Sequence, residues 1–316
     1  MVKWLVIGIG DITRRRVIPA IVQGSRSHLQ AVLTRDPEKA SAYPGTEVFT
    51  TIEAALQSPE IDAVYVASPV SLHVSHTIAS LRAGKHVLVE KPTAMNYSEA
   101  KSMVDEARLH DRLFAVAYYR RLYPKLIRAR DLIALGAIGQ PVLAEANCHS
   151  WLPANSLDSA RGWLIDPSKS GGGPLYDIGS HRIDAMNFLF GKPVHATGLL
   201  SNAVHKLAVE DSATVLIQYA TGIHATVDVR WNSHIRRDHF RILGTDGELN
   251  LDPLNDPRLS YGNIEESLPA DPNVHFDLVQ NFTSAVLDGT PLACSGEEAI
   301  WTDWVTEMVM TSSKTP

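Results

Sequence analysis

The stretch GGGPLYDIGSHRID at residues 171–184 sets Asp177, His181 and Asp184 at i, i+4 and i+7, the spacing of one helix face. Three readings of that face compete. An Asp and a His one turn apart make an ordinary solvated pair on many helices. A histidine with two carboxylates is also a metal-ligand set, although this spacing matches no strong zinc signature. In the third reading, a histidine steadied by a carboxylate moves the proton that hydride transfer between a nicotinamide and a carbonyl or alcohol leaves over. Gly171, Gly172 and Gly173 would let the backbone ahead of the helix approach a ligand closely. A second polar group, Lys91, ends the apolar run KHVLVEKP, where Pro92 restricts its backbone. The choice depends on what the rest of the chain builds around these groups.

Strand, tight turn and helix is the context of a dinucleotide-binding start, and WLVIGIG followed by the apolar positions of 12–23 supplies it. Gly8 and Gly10 fill the first two places of G-x-G-x-x-G, while Thr13 holds the third. With Asp11 and Ile12 they form the turn expected against the cofactor. HLQAVLTRD and IDAVYVASP read as further strands, and the latter ends at Ser68 and Pro69, close to His73. Open α/β sheets bind ligands at the carboxyl ends of their strands, so Ser68, Pro69, His73, Glu90 and Lys91 fall on the cofactor side. At the end of the second strand, the hydroxyl and guanidinium of Thr34 and Arg35 suit a 2′-phosphate. Asp36 would instead favour a free ribose if the register moved by one residue. NADP is the favoured cofactor, with NAD open.

After FAVAYYRRLYP the texture changes. Helices are expected over 125–134 and 175–189, and a strand at VLAEANCHSW. SATVLIQYA, IHATVDVRW and DHFRILGTDGELNL alternate apolar and polar residues, the last broken at Asp246-Gly247, so one sheet face is solvated or covered by a partner. LDPLNDPRLSYGN reads as a long loop. Capping boxes at Asn96–Glu99 and Ser295–Glu298 start two further helices, and another is expected over 274–287. The fold class is therefore α/β. A Rossmann domain over 1–120 precedes an α/β domain over 121–316, built on a large, mostly antiparallel open sheet.

A chain of 316 residues that is 45% hydrophobic suffices for two cores. Its net charge of −6 comes without a long basic block, which argues against nucleic acid or an anionic membrane as partner. The apolar start is too short to span a bilayer and has no cleavage pattern, so a cytoplasmic protein is expected. Cys148 and Cys294 stand far apart, which supports neither a disulfide framework nor a cysteine metal site. No metal is expected.

The GIGDI turn, SPVSLHVSHTIASLRAGKHVLVEKP, and W-x-x-D-P followed by GGGPLYDIGSHRID together resemble the Gfo/Idh/MocA oxidoreductases, over essentially the whole chain. The resemblance implies that Lys91 and His181 are the polar catalytic residues beside the substrate carbon, with Asp177 as their carboxylate partner. It also implies Tyr118 and Arg120 near cofactor or substrate, a small-molecule substrate, and a homo-oligomer, dimer or tetramer, formed through the open sheet. Trp163 and Asp166, just ahead of the glycines, are placed as a substrate wall. The chain departs from the family at Val70, where a polar residue often follows the proline, and at Leu164, where many members have Arg.

In reduction His181 would donate the proton while Lys91 stabilises the developing alkoxide. A desolvated Lys91 could carry the proton itself, so that assignment stays open. The expected substrate is a sugar, polyol or related cyclic alcohol or carbonyl compound. The alternatives are a trans-dihydrodiol or other apolar alcohol, a noncatalytic dinucleotide-binding regulator, and a glycosidase that oxidises its sugar transiently.

Overall fold

A computed structural model describes residues 1–152 and 162–313. The chain forms two compact units. The first comprises Met1–Ala94, Ser98–Tyr119 and Asp271–Ile300; the second comprises Met95–Tyr97, Arg120–Ala270 and the chain from Trp301 on. The return of 271–300 to the first unit is an excursion that a single cut after residue 120 leaves out.

In the first unit, β1 (Val2–Ile7), β2 (Ser27–Leu33), β3 (Glu47–Phe49), β4 (Ala63–Val66), β5 (His86–Val89) and β6 (Phe114–Val116) make one sheet in the order β3-β2-β1-β4-β5-β6. Every pairing in it is parallel. Helical crossovers cover both faces of such a sheet, which is why AVYV in β4 is buried at each residue instead of alternating. The strand order reverses between β1 and β4, so the crevice for a ligand opens beyond their carboxyl ends.

Residues 12–23 are expected as a helix that Pro19 starts or bends, and the chain makes a π-turn, Thr13–Val17, before the helix Ile18–Gln23 with Pro19 in its first turn. Pro19 has no N–H to return to the preceding turn, so the regular ladder cannot run through it. The late helix Phe276–Asp288 joins this unit by packing: Phe282 and Trp4 have ring centroids 5.3 Å apart, and the Ser27 and Thr283 hydroxyls lie 2.9 Å apart.

In the second unit, the strands β7 (Pro141–Trp151), β8 (Pro193–Ser201), β9 (Ser212–Tyr219), β10 (His224–Arg230), β11 (Asn232–Gly244), β12 (Glu248–Asn250), β13 (Arg258–Tyr261) and β14 (Ile264–Ser267) form a sheet in the order β14-β13-β12-β11-β7-β10-β9-β8. Only β7 and β10 pair in parallel. The alternation read from sequence is the pleat of this sheet: Ala225, Val227 and Val229 are buried, with Thr226, Asp228 and Arg230 on the other face. The segment expected as one long loop does contain structure. RLSY becomes β13 because Leu259 reaches the core, and Gly262, at φ 52°, turns the chain into β14. Among the described residues no helix is long and apolar enough to cross a membrane.

Candidate active site

Gly8 leaves β1 at φ 94°, and a Cβ on it would lie 2.7 Å from the Ala67 carbonyl oxygen, so only glycine fits. A Cβ on Gly10 would meet nothing within 4 Å, which leaves the turn open on the side where a pyrophosphate approaches. Thr13 replaces the third glycine by working inside the turn: fully buried, its hydroxyl accepts the Gly10 N–H at 2.9 Å and donates to the Gly10 carbonyl at 3.0 Å. Asp11 pairs with Arg14 at 3.0 Å, and Ile12 is exposed.

At the end of β2, Thr34 is buried and its hydroxyl bonds to the Asp36 backbone, while Arg35 is exposed. The Asp36 carboxylate accepts the Glu38 N–H at 3.2 Å and so caps its own short helix. Arg35 is open to a ligand, and the half-exposed Asp36 carboxylate keeps a second oxygen beyond its cap bond. The residues present therefore fit a dinucleotide, with or without a 2′-phosphate.

The loops after β4 and β5 are clamped together by His73. Its Nδ1 faces the Pro92 and Thr93 carbonyls at 3.0 and 3.2 Å, and its Nε2 faces the Ser68 carbonyl at 2.9 Å. Burial pushes His73 below its ordinary pKa, against the pull of those carbonyls and of Glu90. Pro69 opens a short 3₁₀ turn, and Val70 inside it is buried. A valine thus packs where a polar cofactor contact is usual in the family.

Glu90, at the end of β5, is nearly buried. Its Oε1 accepts the Tyr65 hydroxyl at 2.6 Å and lies 3.3 Å from His275 Nε2, and its Oε2 accepts the Lys91 N–H at 3.2 Å. Burial alone would raise Glu90, yet His275, Tyr65 and the Lys91 charge hold it below the ordinary carboxylate value. Tyr118 is buried at the start of the exit from β6.

In the second unit the three glycines serve the chain itself. Cβ atoms on Gly171 and Gly172 would each lie 2.5 Å from the Tyr176 ring, and one on Gly173 would overlap the Glu210 carbonyl oxygen. Their smallness admits Tyr176 and Glu210, a packing role that stands beside the ligand approach suggested by the sequence. Glu210 then accepts the Leu175 N–H at 3.1 Å, at the start of the segment that carries Asp177 and His181.

That segment is also not one helix: Leu175–Gly179 is a π-turn and Ser180–Phe190 an α-helix. Asp177 lies in the first and His181, buried, in the second, so the interval between them does not subtend the ordinary α-helical angle. Asp184 is a separate matter. It takes the Arg121 guanidinium at 2.8 to 3.1 Å with both side chains buried, which makes it a structural ion pair.

Arg120 is buried, with Nε and Nη2 donating to Asn255 Oδ1 at 3.2 and 2.9 Å. Trp163 is 38% exposed, which leaves its ring available. Leu164 packs with Leu152, Val209 and Trp231. The Asp166 carboxylate caps the helix Pro167–Ser170, accepting from the Ser168 N–H at 3.0 Å and from Lys169 Nζ at 2.6 Å. Those bonds, led by the Lys169 contact, lower its pKa to about 2.

Family models match both halves of the chain: an oxidoreductase family NAD-binding Rossmann fold over residues 2–118, and a GFO/IDH/MocA C-terminal domain over residues 126–250. The chain belongs to the Gfo/Idh/MocA family. It is an NAD(P)-dependent oxidoreductase. It is 30% identical over 315 residues to the 1,5-anhydro-D-fructose reductase of Ensifer adhaerens, covering 95% of this chain and 93% of that one. The D-xylose 1-dehydrogenase [NADP(+)] of Haloarcula marismortui is 26% identical over 264 residues, covering 80% of this chain and 72% of its own. Among solved structures, the aldose-aldose oxidoreductase of Caulobacter crescentus, complexed with glycerol, superposes with a TM-score of 0.88 at 23% identity, covering 99% of this chain and 97% of that one.

The oxidoreductase also contains contacts that sequence reading passes over. Tyr65 and His275 grip Glu90 from 25 and 185 residues away in sequence, and Glu210 reaches Leu175 across 35. A capping box announces itself by local spacing; these contacts have no such signal.

Proposed function

We propose that the protein is an NADP-preferring enzyme that interconverts a carbonyl and an alcohol on a sugar, polyol or related cyclic compound, with Lys91, Asp177 and His181 as its polar machinery. The observation that carries the reading is the corner at the end of β5, where an ionised, hydrogen-bonded Glu90 holds the Lys91 backbone in a nicotinamide-binding fold. The anhydrofructose reductase and xylose dehydrogenase relatives favour a sugar substrate.

When bound, the nicotinamide supplies hydride to the carbonyl carbon in reduction and takes it back in oxidation. Lys91 donates a hydrogen bond to the carbonyl oxygen and offsets the negative charge gathering there. The His181 imidazole gives that oxygen its proton, so carbonyl, hydride and proton balance as an alcohol. Asp177 holds the ring and its tautomer. Trp163, with its ring exposed, is the aromatic group offered to the substrate.

The active protein is further proposed to be a homo-oligomer that covers the open face of the second sheet. Leu199 and Leu216, which point to that face from β8 and β9, are 76% and 51% exposed. The test of function is a panel of cyclic ketoses, aldoses and polyols assayed with NADPH, NADH and their oxidised forms. Turnover of a sugar or polyol with preference for the phosphorylated cofactor is expected. Turnover confined to apolar alcohols would overturn the substrate class.

A further inference from the structure

His275 lies at the foot of the helix Phe276–Asp288, remote in sequence from every group assigned to chemistry, yet it reaches Glu90 inside the first unit. Its position is fixed from behind. Asn273 accepts the His275 N–H at 3.2 Å and donates to the Arg16 carbonyl at 2.9 Å, while Arg16 donates to the Pro272 carbonyl at 2.6 Å. The ring is 1% exposed and stacks obliquely on Tyr119 with centroids 4.9 Å apart.

The two ring nitrogens have unequal surroundings. Nε2 is 3.3 Å from the Glu90 carboxylate, whereas Nδ1 is buried with no hydrogen-bond partner among the described residues. Nε2 is therefore the ring nitrogen placed to donate to Glu90 Oε1. With Tyr65 donating to the same oxygen, Oε2 is left to accept the Lys91 N–H.

We propose that His275 is a positioning residue for Lys91, acting through Glu90: it keeps that carboxylate oriented, so that the backbone and surroundings of Lys91 are set before substrate arrives. The proposal rests on the assignment of Lys91 to the reaction. The titratable groups that bear on Glu90 are Tyr65 from β4, His73 from the clamp, Lys91 beside it, and His275 itself, with Tyr119 behind the His275 ring. Removing the His275 donor takes away the largest of the contacts that oppose burial, so the Glu90 pKa rises from its wild-type position. Glu90 then protonates at higher pH, and its grip on the Lys91 corner is lost earlier on acidification.

The test compares His275→Ala, His275→Gln and Lys91→Ala in the full-length protein, using NADPH with the best sugar substrate and reading kcat against pH, KM and NADPH affinity. Nitrogen-15 NMR of the wild-type His275 ring is the companion measurement. His275→Ala is expected to lose about 10- to 100-fold in kcat, to move the acid limb of its pH profile upward, and to keep NADPH affinity. His275→Gln, which can still donate, should recover the wild-type limb, and the wild-type ring should show its proton on Nε2. A wild-type rate and acid limb in His275→Ala, or a wild-type ring protonated on Nδ1, would overturn the inference, the latter even if the variants failed to fold. If Lys91→Ala itself kept the wild-type rate, the assignment of Lys91 would fall first, and the two failures are thereby told apart.

Discussion

The carboxylate of Glu90 accepts the backbone N–H of Lys91 at 3.2 Å, so the lysine at the end of β5 is held by its own neighbour. Glu90 and Glu210 are both buried acids near the proposed machinery, and their pKa values move in opposite directions. Burial raises each, but for Glu90 the His275, Tyr65 and Lys91 contacts win and the value falls below 4.5. For Glu210 burial wins over the backbone N–H groups that it accepts, and the value rises above 4.5.

These shifts give opposite pH slopes of stability. A lowered acid stabilises fully above the unfolded value and loses that contribution as pH falls through the folded pKa. For a raised acid, the folded protein binds the proton more readily, so the contribution is present at low pH and lost as pH rises through the folded pKa. Thermal melts should therefore show wild type losing its advantage over Glu90→Gln as pH falls below 4.5, and gaining on Glu210→Gln as pH falls toward 4.5 from above. Parallel slopes for the two pairs would contradict these environments.

Arg35 is exposed at the end of β2, while one oxygen of the Asp36 carboxylate caps its own short helix. Arg35→Ala should raise the KM for NADPH by about 10- to 100-fold, as expected for losing hydrogen bonds to a charged phosphate, and leave that for NADH nearly unchanged. Equal losses for both cofactors would remove Arg35 from 2′-phosphate recognition.

Asp184 shares a helix with His181 but faces Arg121, in a buried pair that each partner needs. Asp184→Asn should destabilise the protein by about 3–5 kcal/mol in denaturant melts, the usual cost of orphaning a buried charge. The folded fraction should keep its NADPH affinity and kcat. A large fall in kcat with unchanged stability would place Asp184 in the chemistry instead.

The Rossmann strands were legible because parallel strands buried on both faces leave uninterrupted apolar runs, as in VKWLVI and AVYV. The second sheet was legible from the alternation of ATVDV. What escaped has a common cause, since it depends on contacts that local pattern does not encode. The π-turns at Thr13–Val17 and Leu175–Gly179 read as ordinary helix, since their residue types suit both. The triple glycine read as a ligand approach because its real neighbours, Tyr176 and Glu210, declare themselves only in the fold. The Asp166 carboxylate, read from sequence as part of a substrate wall, also caps the helix that follows it. His275 was passed over altogether, although it completes the surroundings of Glu90.

Single-turnover stopped flow tests the central claim most directly, following NADPH absorbance as wild type, Lys91→Ala and His181→Ala meet a saturating cyclic ketose. Each variant should bind NADPH as wild type does and transfer hydride more slowly, with the true proton carrier losing about 10²- to 10⁴-fold. Hydride transfer at the wild-type rate in either variant, with cofactor binding intact, would contradict the account.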